Sequence, residues 1–510
     1  MIRKAKKPQS GTKLDMPRDI INEFAPEIAG PLTVIINNMF ESAEWPASWK
    51  VESVVPIPKV PNPETEEELR PISLTPFFSK VAEHFVVDWL LGFIGKKIDF
   101  RQYGGLKGNS ISHYIIEFIN FILASQDSSE QTAVLACFID FQKAFMRINH
   151  NILIEKLSNL GVPGWLLRIV ISFLENRTMI VKYEGCESSV KSLPGGSPQG
   201  TLLALLLFIV LVNDLGFENQ SNNAGELAVS KNKLRLANEI HLKFVDDFTI
   251  AEAVNMNKDL FNHDKTNPGG GYFLQESKSK VYEQIEKTVE FAEVNEMRVN
   301  LTKTKLMLFN PCNSITFKPH FATQDKQLDV VTEVRLLGLQ LDSNLKWKSN
   351  TSLMISKASK RLWILHRLKN LGAQQTSLVE VYVKQIRCLL EFGTPAWQGS
   401  ITAHEKTDIE RVQRNAARII LGRHYTSYKD ALQSLNLEYL EQRRMNICLK
   451  FALKAESHPK FKHWFIQQTN PYNTRGKQRK YKEIYSKHDR YFSSPLGYLT
   501  RLLNMHYRRG

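Results

Sequence analysis

The hydrophobic pattern divides the chain into amphipathic helical stretches and shorter apolar stretches typical of strands. Helical spacing predicts helices between Ile20 and Met39, over 76–98 and near 279–296. The segment TAVLACFID (132–140) is apolar on both faces, which predicts a strand at the buried centre of a sheet. The run LLALLLFIVLV (202–212) predicts a buried helix, because it is too short to cross a bilayer.

Further apolar segments predict the remaining strands of the first two thirds of the chain. These are SWKVESVVPIPKV (48–60), KLMLFN (305–310) and VRLLGLQLD (334–342). The segments HLKF and FTIAEAV flank a tight turn that carries Asp246 and Asp247, which predicts an antiparallel hairpin. Two polar stretches, 217–233 and 262–280, are predicted as surface insertions around this hairpin.

After residue 345 the pattern becomes predominantly helical. In 408–421 the apolar side chains share one face, and Arg411, Arg414 and Arg418 lie on the opposite face. This basic face is either an ordinary solvated helix face or a stripe that follows a nucleic-acid backbone. The segment from Arg475 onward is strongly basic and is predicted to be a flexible tail that adds salt-sensitive affinity for RNA or DNA.

The composition is that of a folded protein and favours a polyanionic partner. The 510 residues are 43% hydrophobic and 23% charged, and the formal net charge is +15. This charge favours nucleic acid or an acidic membrane surface, although a basic protein without such a partner is also compatible. The five Cys show no CxxC spacing, so we expect neither disulfides nor zinc, and a reducing compartment, nucleus and/or cytoplasm. Residues 1–13 lack the apolar core of a secretory signal and are either a nuclear address or a ragged basic terminus.

Three carboxylates are the main candidates for chemistry. Asp246 and Asp247 lie in the hairpin turn, and Asp140 ends the central apolar strand. Such an arrangement can hold two divalent cations about 4 Å apart for in-line phosphoryl transfer. Asp is also a common turn residue, so the pair alone would be compatible with an ordinary turn. Without a metal, converging carboxylates would raise one another's pKa values, and Mg²⁺ would relieve this repulsion.

Other candidates are isolated residues within short motifs. Phe145 in DFQKAF is either a core residue or an aromatic that would collide with a ribose 2′-OH. Gln199 lies in the loop GGSPQGT, whose glycines allow close backbone approach to a nucleotide, although a plain loop is the alternative. Arg70, Lys107 and Lys303 are cations that could face triphosphate oxygens or could be ordinary surface charges.

An ordered series of motifs gives the chain a family resemblance. The series is LRPISLTPFFSKVAE (69–83), RQYGGLKGNS (101–110), ACFIDFQKAFMRINHNIL (136–153), GGSPQGTLLALLLFIVLVNDL (195–215), LKFVDDFTIAEA (242–253), MRVNLTKTKLMLF (297–309) and VRLLGLQLDSNLKW (334–347). It resembles the reverse transcriptase of non-LTR retrotransposons of the LINE type, jockey-like, over nearly the whole chain. From the sequence we expect neither the endonuclease domain nor the CCHC knuckle nor the RNase H domain of complete elements. The sequence does not specify the host, the template RNA or the oligomeric state.

The resemblance implies an α+β right-hand polymerase with fingers, a palm with an antiparallel sheet and a helical thumb, plus a helical C-terminal extension. Its parts would be an N-terminal helical extension (1–49), fingers and palm (50–345), thumb and post-thumb helices (346–470) and a basic C-terminal tail (471–510). The implied reaction adds deoxynucleotides to a DNA primer 3′-OH on an RNA template, with no membrane partner. An RNA-dependent RNA polymerase and a catalytically degenerate remnant that only binds nucleic acid are the alternatives.

The resemblance also implies roles for individual residues. They are metal ligands (Asp140, Asp246, Asp247, for two Mg²⁺, with Mn²⁺ as an expected substitute), a sugar gate (Phe145), nucleotide contacts (Gln199, Arg70), an aid to pyrophosphate departure (Lys303) and a primer grip (Leu337, Gly338). Lys107 is a further candidate nucleotide contact because of its charge. Four positions or segments depart from the family pattern: Val245 for Ala, Gly104-Gly105-Leu106 for Gly-Phe-Arg, Met146 for Asp, and Leu205-Leu206-Leu207-Phe208 for a segment beginning with Pro. If the last three reflect decay, the combined changes Gly105→Phe, Leu106→Arg and Met146→Asp are expected to raise activity.

Overall fold

The computed structural model describes most of the chain, with gaps at both ends and in several internal segments. The described residues are 16–127, 132–193, 195–216, 238–255, 261–263, 272–274, 279–310, 322–323, 326–468 and 479–509. The predicted insertion at 217–233, most of that at 262–280, and the N-terminal segment 1–13 lie outside these residues. Within the described part, no helix is both long and apolar enough to cross a membrane.

Helices and strands follow one another in an α+β order. The helices are α1 (Arg18–Glu23), α2 (Ala25–Ser42), α3 (Phe77–Ile94), α4 (Ile111–Gln126), α5 (His150–Asn159), α6 (Gly164–Leu174), α7 (Leu202–Leu211), α8 (Lys280–Val294), α9 (Lys348–Asn370), α10 (Gln375–Val381), α11 (Cys388–Glu391), α12 (Thr394–Trp397), α13 (Ala403–Leu421), α14 (Tyr428–Ser434), α15 (Leu440–Ser457), α16 (Asp489–Phe492) and α17 (Pro495–Arg509). The strands are β1 (Val51–Pro58), β2 (Leu69–Leu74), β3 (Thr132–Ile139), β4 (Arg177–Tyr183), β5 (Cys186–Glu187), β6 (Lys191–Leu193), β7 (Glu239–Phe244), β8 (Asp247–Asn255), β9 (Phe261–His263), β10 (Tyr272–Leu274), β11 (Lys305–Phe309), β12 (Ala322–Thr323), β13 (Lys326–Gln327), β14 (Asp329–Val330), β15 (Glu333–Leu336) and β16 (Leu339–Asp342).

Strand β3 is the central strand of one of two five-stranded sheets, as its continuous apolar sequence predicted. The sheet order is β14-β11-β3-β8-β7, and β3 pairs antiparallel with both β8 and β11. All eight residues of β3 are buried. Its side chains alternate between two apolar cores: Ala133, Leu135, Cys137 and Ile139 face one, and Val134, Ala136 and Phe138 face the other.

The first core lies between this sheet, the N-terminal helices and α7. Nearly every residue of α7 is buried, which confirms the prediction of a buried helix. The Thr201 side chain accepts a hydrogen bond from the Ala204 N–H and begins the helix. The buried Glu83 carboxylate on α3 accepts a second bond from the Leu203 N–H at 3.1 Å. A second sheet, in the order β2-β1-β4-β5 with β6 against β4, extends from this core.

The second core joins α4 to the helices that follow residue 345. In this part, α9 packs against α13, and α17 packs against α15 and α4. The three arginines predicted on one face of α13 contact neighbouring side chains of the protein. Arg411 forms an ion pair with Asp408, Arg414 lies over the ring of Tyr428, and Arg418 lies over the ring of Tyr425.

The prediction of a flexible tail after Arg475 is wrong for residues 479–509. Leu499 and Leu503 of α17 are fully buried, and the N–H groups of Lys487 and His488 donate to the Asp127 carboxylate. The apolar residues of this segment recur at helical spacing among many cations. The segment was predicted to be flexible because of its many cations, but it contains an amphipathic helix that packs on α4.

Candidate active site

The hairpin of β7 and β8 and the end of β3 bring the three candidate carboxylates to one edge of the sheet. Phe244 pairs with Asp247 and closes a two-residue turn of Val245 and Asp246. On the other side of β8, Phe248 pairs with Ile139. Continuing this register by one residue sets Asp140 across from Asp247.

Asp140 is further held by a short segment that precedes β11. The Asn300 N–H donates to the Asp140 carbonyl oxygen at 2.7 Å, and Asn300 Nδ2 donates to Asp140 Oδ2 at 3.2 Å. Asn300 was not among the predicted site residues. Its position at the start of the motif NLTKT, three residues before Lys303, was the signal available in the sequence.

Burial and mutual repulsion disfavour the charged forms of the three carboxyl groups. Burial raises the pKa of Asp140, against the opposing effects of Lys303, the Asn300 hydrogen bond and Lys59. Burial and the charge of Asp140 raise the pKa of Asp246. Burial, then Asp246 and Asp140, raise the pKa of Asp247 to about 7. The site is therefore short of positive charge in the absence of a ligand.

The carboxylates fit a divalent cation that is shared with a substrate. Among the side chains that the structure describes, no group of three or more His, Cys, Asp or Glu is arranged to hold a metal ion unaided. Mg²⁺ is commonly bound by one or two carboxylates together with substrate phosphates, so a preformed cage is not required. Hard carboxylate oxygens that repel one another are the donors such a cation favours.

Three cations surround this acidic edge. Arg70, at β2, lowers the pKa values of Asp246 and Asp247, and Lys303 lowers that of Asp140. Lys59, which was not predicted, also acts on Asp140, and its own pKa is lowered by burial and by Lys303 and Arg70. These three side chains therefore share one electrostatic environment with the carboxylates.

Lys107, which was predicted in the same group, is not among the cations that act on these carboxylates in the described interactions. It is exposed in the turn before α4, next to Gly108, where an added Cβ would lie 2.5 Å from His458 Nε2. A nucleotide contact by Lys107 therefore stays a prediction.

Phe145 and Gln199 lie on two loops that are hydrogen-bonded to each other. The Ser197 N–H donates to the Phe145 carbonyl at 2.9 Å, and the Ser73 N–H of β2 donates to the Gln199 carbonyl at 3.0 Å. The half-buried Phe145 ring packs on Phe208 of α7, with ring centroids 5.0 Å apart. The structure thus links both residues to the strand that carries Arg70.

Gly196 makes the close approach of these two loops possible. Its φ is +78°, and an added Cβ would lie 2.8 Å from the Met146 carbonyl oxygen. Met146 itself is 50% exposed, so nothing in the packing requires an apolar side chain there.

Leu337 and Gly338 form a second two-residue turn, between β15 and β16. Leu336 pairs with Leu339, and the φ angles at the turn are +48° and +90°. Gly338 lies against Phe392, whose Cε1 would be 3.1 Å from an added Cβ. The described interactions of the three aspartates do not include this turn, so its role as a primer grip stays a prediction.

The departures from the family pattern are accommodated by the packing. Gly105 has φ +69°, and an added Cβ would lie 2.7 Å from Ile209 Cδ1 of α7. Gly105→Phe would therefore require the Ile209 side chain to move and would place a side chain at positive φ, and the gain expected from the combined reversion stays a prediction. The Leu205 N–H donates to the Thr201 carbonyl at 3.3 Å, a bond that proline could not make.

A carboxylate-bearing hairpin on a mainly antiparallel sheet, with a second sheet and a helical region around it, is the arrangement typical of the right-hand polymerase class. The profile of the family described as "Reverse transcriptase (RNA-dependent DNA polymerase)" matches residues 57–341. The chain belongs to the reverse transcriptase family.

Proteins of mobile elements are among its relatives. It is 23% identical over 444 residues to "RNA-directed DNA polymerase from mobile element jockey" of Drosophila melanogaster, covering 84% of this chain and 44% of that protein. It is 25% identical over 439 residues to "Probable RNA-directed DNA polymerase from transposon BS" of the same organism, again covering 84% and 44%. The chain thus spans less than half the length of these relatives.

Among solved structures, the Candida tropicalis telomerase in complex with a telomeric RNA fragment matches with 12% identity and a TM-score of 0.41. That match covers 95% of this chain and 65% of the telomerase chain.

Proposed function

We propose that the chain is an RNA-directed DNA polymerase of a non-LTR retrotransposon. The observation that carries this proposal is the strand register, which brings Asp140 opposite Asp247 beside Asp246. Template-directed nucleotidyl transfer needs carboxylates at one point to hold two cations, and cations beside them to receive a triphosphate.

Asp140, Asp246 and Asp247 would hold two Mg²⁺ ions, with Mn²⁺ as a substitute. Such ions, when bound, activate a primer 3′-OH and stabilise the leaving pyrophosphate. Asn300 would hold Asp140 in place through one hydrogen bond to its backbone carbonyl and one to its carboxylate. The burial of the carboxyl groups would strengthen each of these interactions, because fewer water molecules screen the charges.

The neighbouring cations and loops would orient the nucleotide. Arg70 and Lys59 would bind triphosphate oxygens from the fingers side, and Lys303 would assist the departure of pyrophosphate. Phe145, held against Phe208, would exclude the 2′-OH of a ribonucleotide. Gln199 would contact the incoming nucleotide or its template partner.

The helical region after residue 345 would bind the RNA template and the DNA primer. Helix α9 contains six Lys or Arg residues and no Asp or Glu, which suits a phosphate backbone. Its Trp363 is 65% exposed and lies beside Arg367, a combination that stacks readily on bases. We extend the proposal to the parts implied by the resemblance: fingers and palm over 50–345, thumb and post-thumb helices over 346–470, in an intracellular protein.

Primer extension tests the proposal directly. Purified protein is given an RNA template, a DNA primer, dNTPs and Mg²⁺, beside the double variant Asp246→Ala/Asp247→Ala. We expect extension by the parent chain and none by the variant, with similar nucleic-acid binding by both. Extension with rNTPs at a comparable rate would indicate an RNA polymerase instead. Binding without extension by either protein would indicate a catalytically degenerate remnant.

A further inference from the structure

Residues 101–103, here called the edge segment, lie beside β7, next to the turn of Val245 and Asp246, here called the catalytic turn. Gln102 forms a parallel bridge with Lys243 of β7. The Tyr103 N–H donates to the Lys243 carbonyl at 2.8 Å, and the Lys243 N–H donates to the Arg101 carbonyl at 3.0 Å. Residues 101–103 therefore add a short, strand-like segment to the sheet beside β7 of the hairpin.

The buried Gln102 side chain connects this edge to the turn. It is 1% exposed, and its Oε1 accepts hydrogen bonds from the Val245 N–H at 3.0 Å and from the Gly104 N–H at 2.9 Å. Gly104 is needed for this contact, because an added Cβ would lie 2.6 Å from Val245 Cγ2. One side-chain oxygen thus binds the backbone of both the turn and the edge segment.

The turn requires such support because its backbone is strained. Val245 is β-branched and has φ +61°, a region that such residues rarely adopt. A strained residue at a functional site persists only where the surrounding structure holds it in place. The hydrogen bond to Gln102 holds the N–H of Val245 itself.

A residue from the far end of the chain holds the other side of the edge segment. Lys460 Nζ donates to the Gln102 carbonyl at 3.0 Å and lies 3.6 Å from the centroid of the Tyr103 ring. The segment around Lys460 docks on α4: Phe461 stacks on His113 with centroids 3.9 Å apart, and Trp464 Nε1 donates to Glu117 at 2.7 Å.

We propose that Gln102 and Lys460 are positioning residues through which the C-terminal segment 458–465 sets the geometry of the catalytic turn. Lys460 holds the edge segment, Gln102 transmits its position to Val245, and Val245 carries Asp246 and Asp247 with it. This inference rests on the proposed polymerase function for its consequence in catalysis, but its structural part can be measured without activity.

Lys460→Met removes the donor and keeps the apolar stem, and Lys462→Met is the matched control. Lys462 lies two residues away, is exposed and makes no side-chain contact with the edge segment in the part of the chain described. The first measurement is hydrogen exchange, in the metal-free full-length protein, of the peptide that contains Val245. We expect exchange to be at least about tenfold faster in Lys460→Met and unchanged in Lys462→Met.

The second measurement is steady-state primer extension. We expect kcat to fall about tenfold in Lys460→Met, because a small misplacement of reacting groups is costly, while primer–template affinity changes less than about twofold. Lys460→Arg keeps a donor near Tyr103 and is expected to recover much of the rate. A purely structural loss would instead lower the amount of active protein and not the kcat of the folded fraction.

A further variant keeps the inference falsifiable if Lys460→Met does not fold. Gln102→Met removes the acceptor of the Val245 N–H and leaves the Lys460 contact with the backbone. We expect faster exchange at Val245 here too. Unchanged exchange in both Gln102→Met and Lys460→Met, in a parent chain that extends primers, would overturn the inference and leave the proposed function intact. Faster exchange in the variants, together with a parent chain that does not extend primers, would retain the structural link and refute the polymerase assignment.

Discussion

Two hairpin turns of equal length support left-handed backbone in different ways. The turn at Leu337 and Gly338 has positive φ at both positions, as type I′ hairpin turns do, and contains a glycine. The catalytic turn has its positive φ at Val245 and is held by Gln102 from outside. The first turn is stable through its own residues, whereas the second depends on a residue that lies more than a hundred positions away in the sequence.

The difference shows where the chain accepts strain. A β-branched residue at positive φ costs free energy, on the order of 1–2 kcal/mol. It is found where Asp246 and Asp247 must project from a tight turn toward Asp140. This agrees with the general finding that strained backbone clusters at functional sites.

The largest effect is expected at the carboxylate that faces Asp140. Asp247→Asn keeps the shape of the side chain but removes its charge, so Mg²⁺-dependent extension should fall by several orders of magnitude. Nucleic-acid affinity, measured by a gel or anisotropy assay, should stay similar. A large loss of affinity would show instead that Asp247 has a structural role.

The second largest effect is expected for a substitution that displaces the turn at Val245 and leaves the rest of the fold unchanged. Gly104→Ala would push its Cβ to 2.6 Å from Val245 Cγ2, and we expect kcat to fall about tenfold to a hundredfold through displacement of the turn. Gly164→Ala, at the start of α6, is the control, because an added Cβ meets nothing within 4 Å there. Equal activity of the two variants would contradict the tight contact at Gly104.

The pH dependence should report the repulsion between the carboxylates. With a pKa of about 7 for Asp247, a proton competes with Mg²⁺, so the Mg²⁺ needed for half-maximal extension should rise about tenfold between about pH 8 and about pH 6. A raised carboxyl pKa means that the folded state binds the proton more tightly than the unfolded state, whose pKa is about 4. The metal-free protein should therefore lose stability as the pH rises from about 4 to about 7.

Thermal unfolding with and without Mg²⁺ checks this assignment. Asp247→Asn should flatten the pH dependence of the metal-free protein, and Mg²⁺ at high pH should stabilise the parent chain more than the variant. If the metal-free parent chain unfolds at the same temperature at about pH 4 and at about pH 7, the proposed repulsion between the carboxylates is contradicted.

The smallest effect is expected at the self-supported turn. Gly338→Ala would introduce a side chain at φ +90° and near Phe392, so we expect a loss of about 1–2 kcal/mol in unfolding free energy. Gly372→Ala has a similar φ of +81° with no atom within 4 Å of an added Cβ, and it isolates the backbone part of this loss. If the turn also grips the primer, Gly338→Ala alone should weaken primer–template binding severalfold.

The sequence was sufficient to predict elements whose own residues determine them. Strand β3 and helix α7 are continuous apolar runs, and the Asp246–Asp247 hairpin lies between two strand-like segments. The convergence of the three aspartates followed from the same pattern once the strands were known.

Other features depend on partners that the sequence does not place next to each other. Gln102 and Lys460 are separated by 358 positions, and neither stands out from neighbouring polar residues. Lys59 looked like an ordinary residue after a strand, although it belongs to the acidic edge. In α17, the many cations obscured the spacing of Leu499 and Leu503. A pattern of local residue types carries little information about such long-range pairs.

The alternation of β3 between two cores makes misalignment unusually costly. If β3 slipped by one residue against β8, each side chain that fills one core would move into the other. Ala136 and Cys137 would exchange surroundings, and Asp140 would move away from Asp247. The packing of both cores therefore disfavours the same register shift. The correct alignment of Asp140 and Asp247 is consequently set when the protein folds.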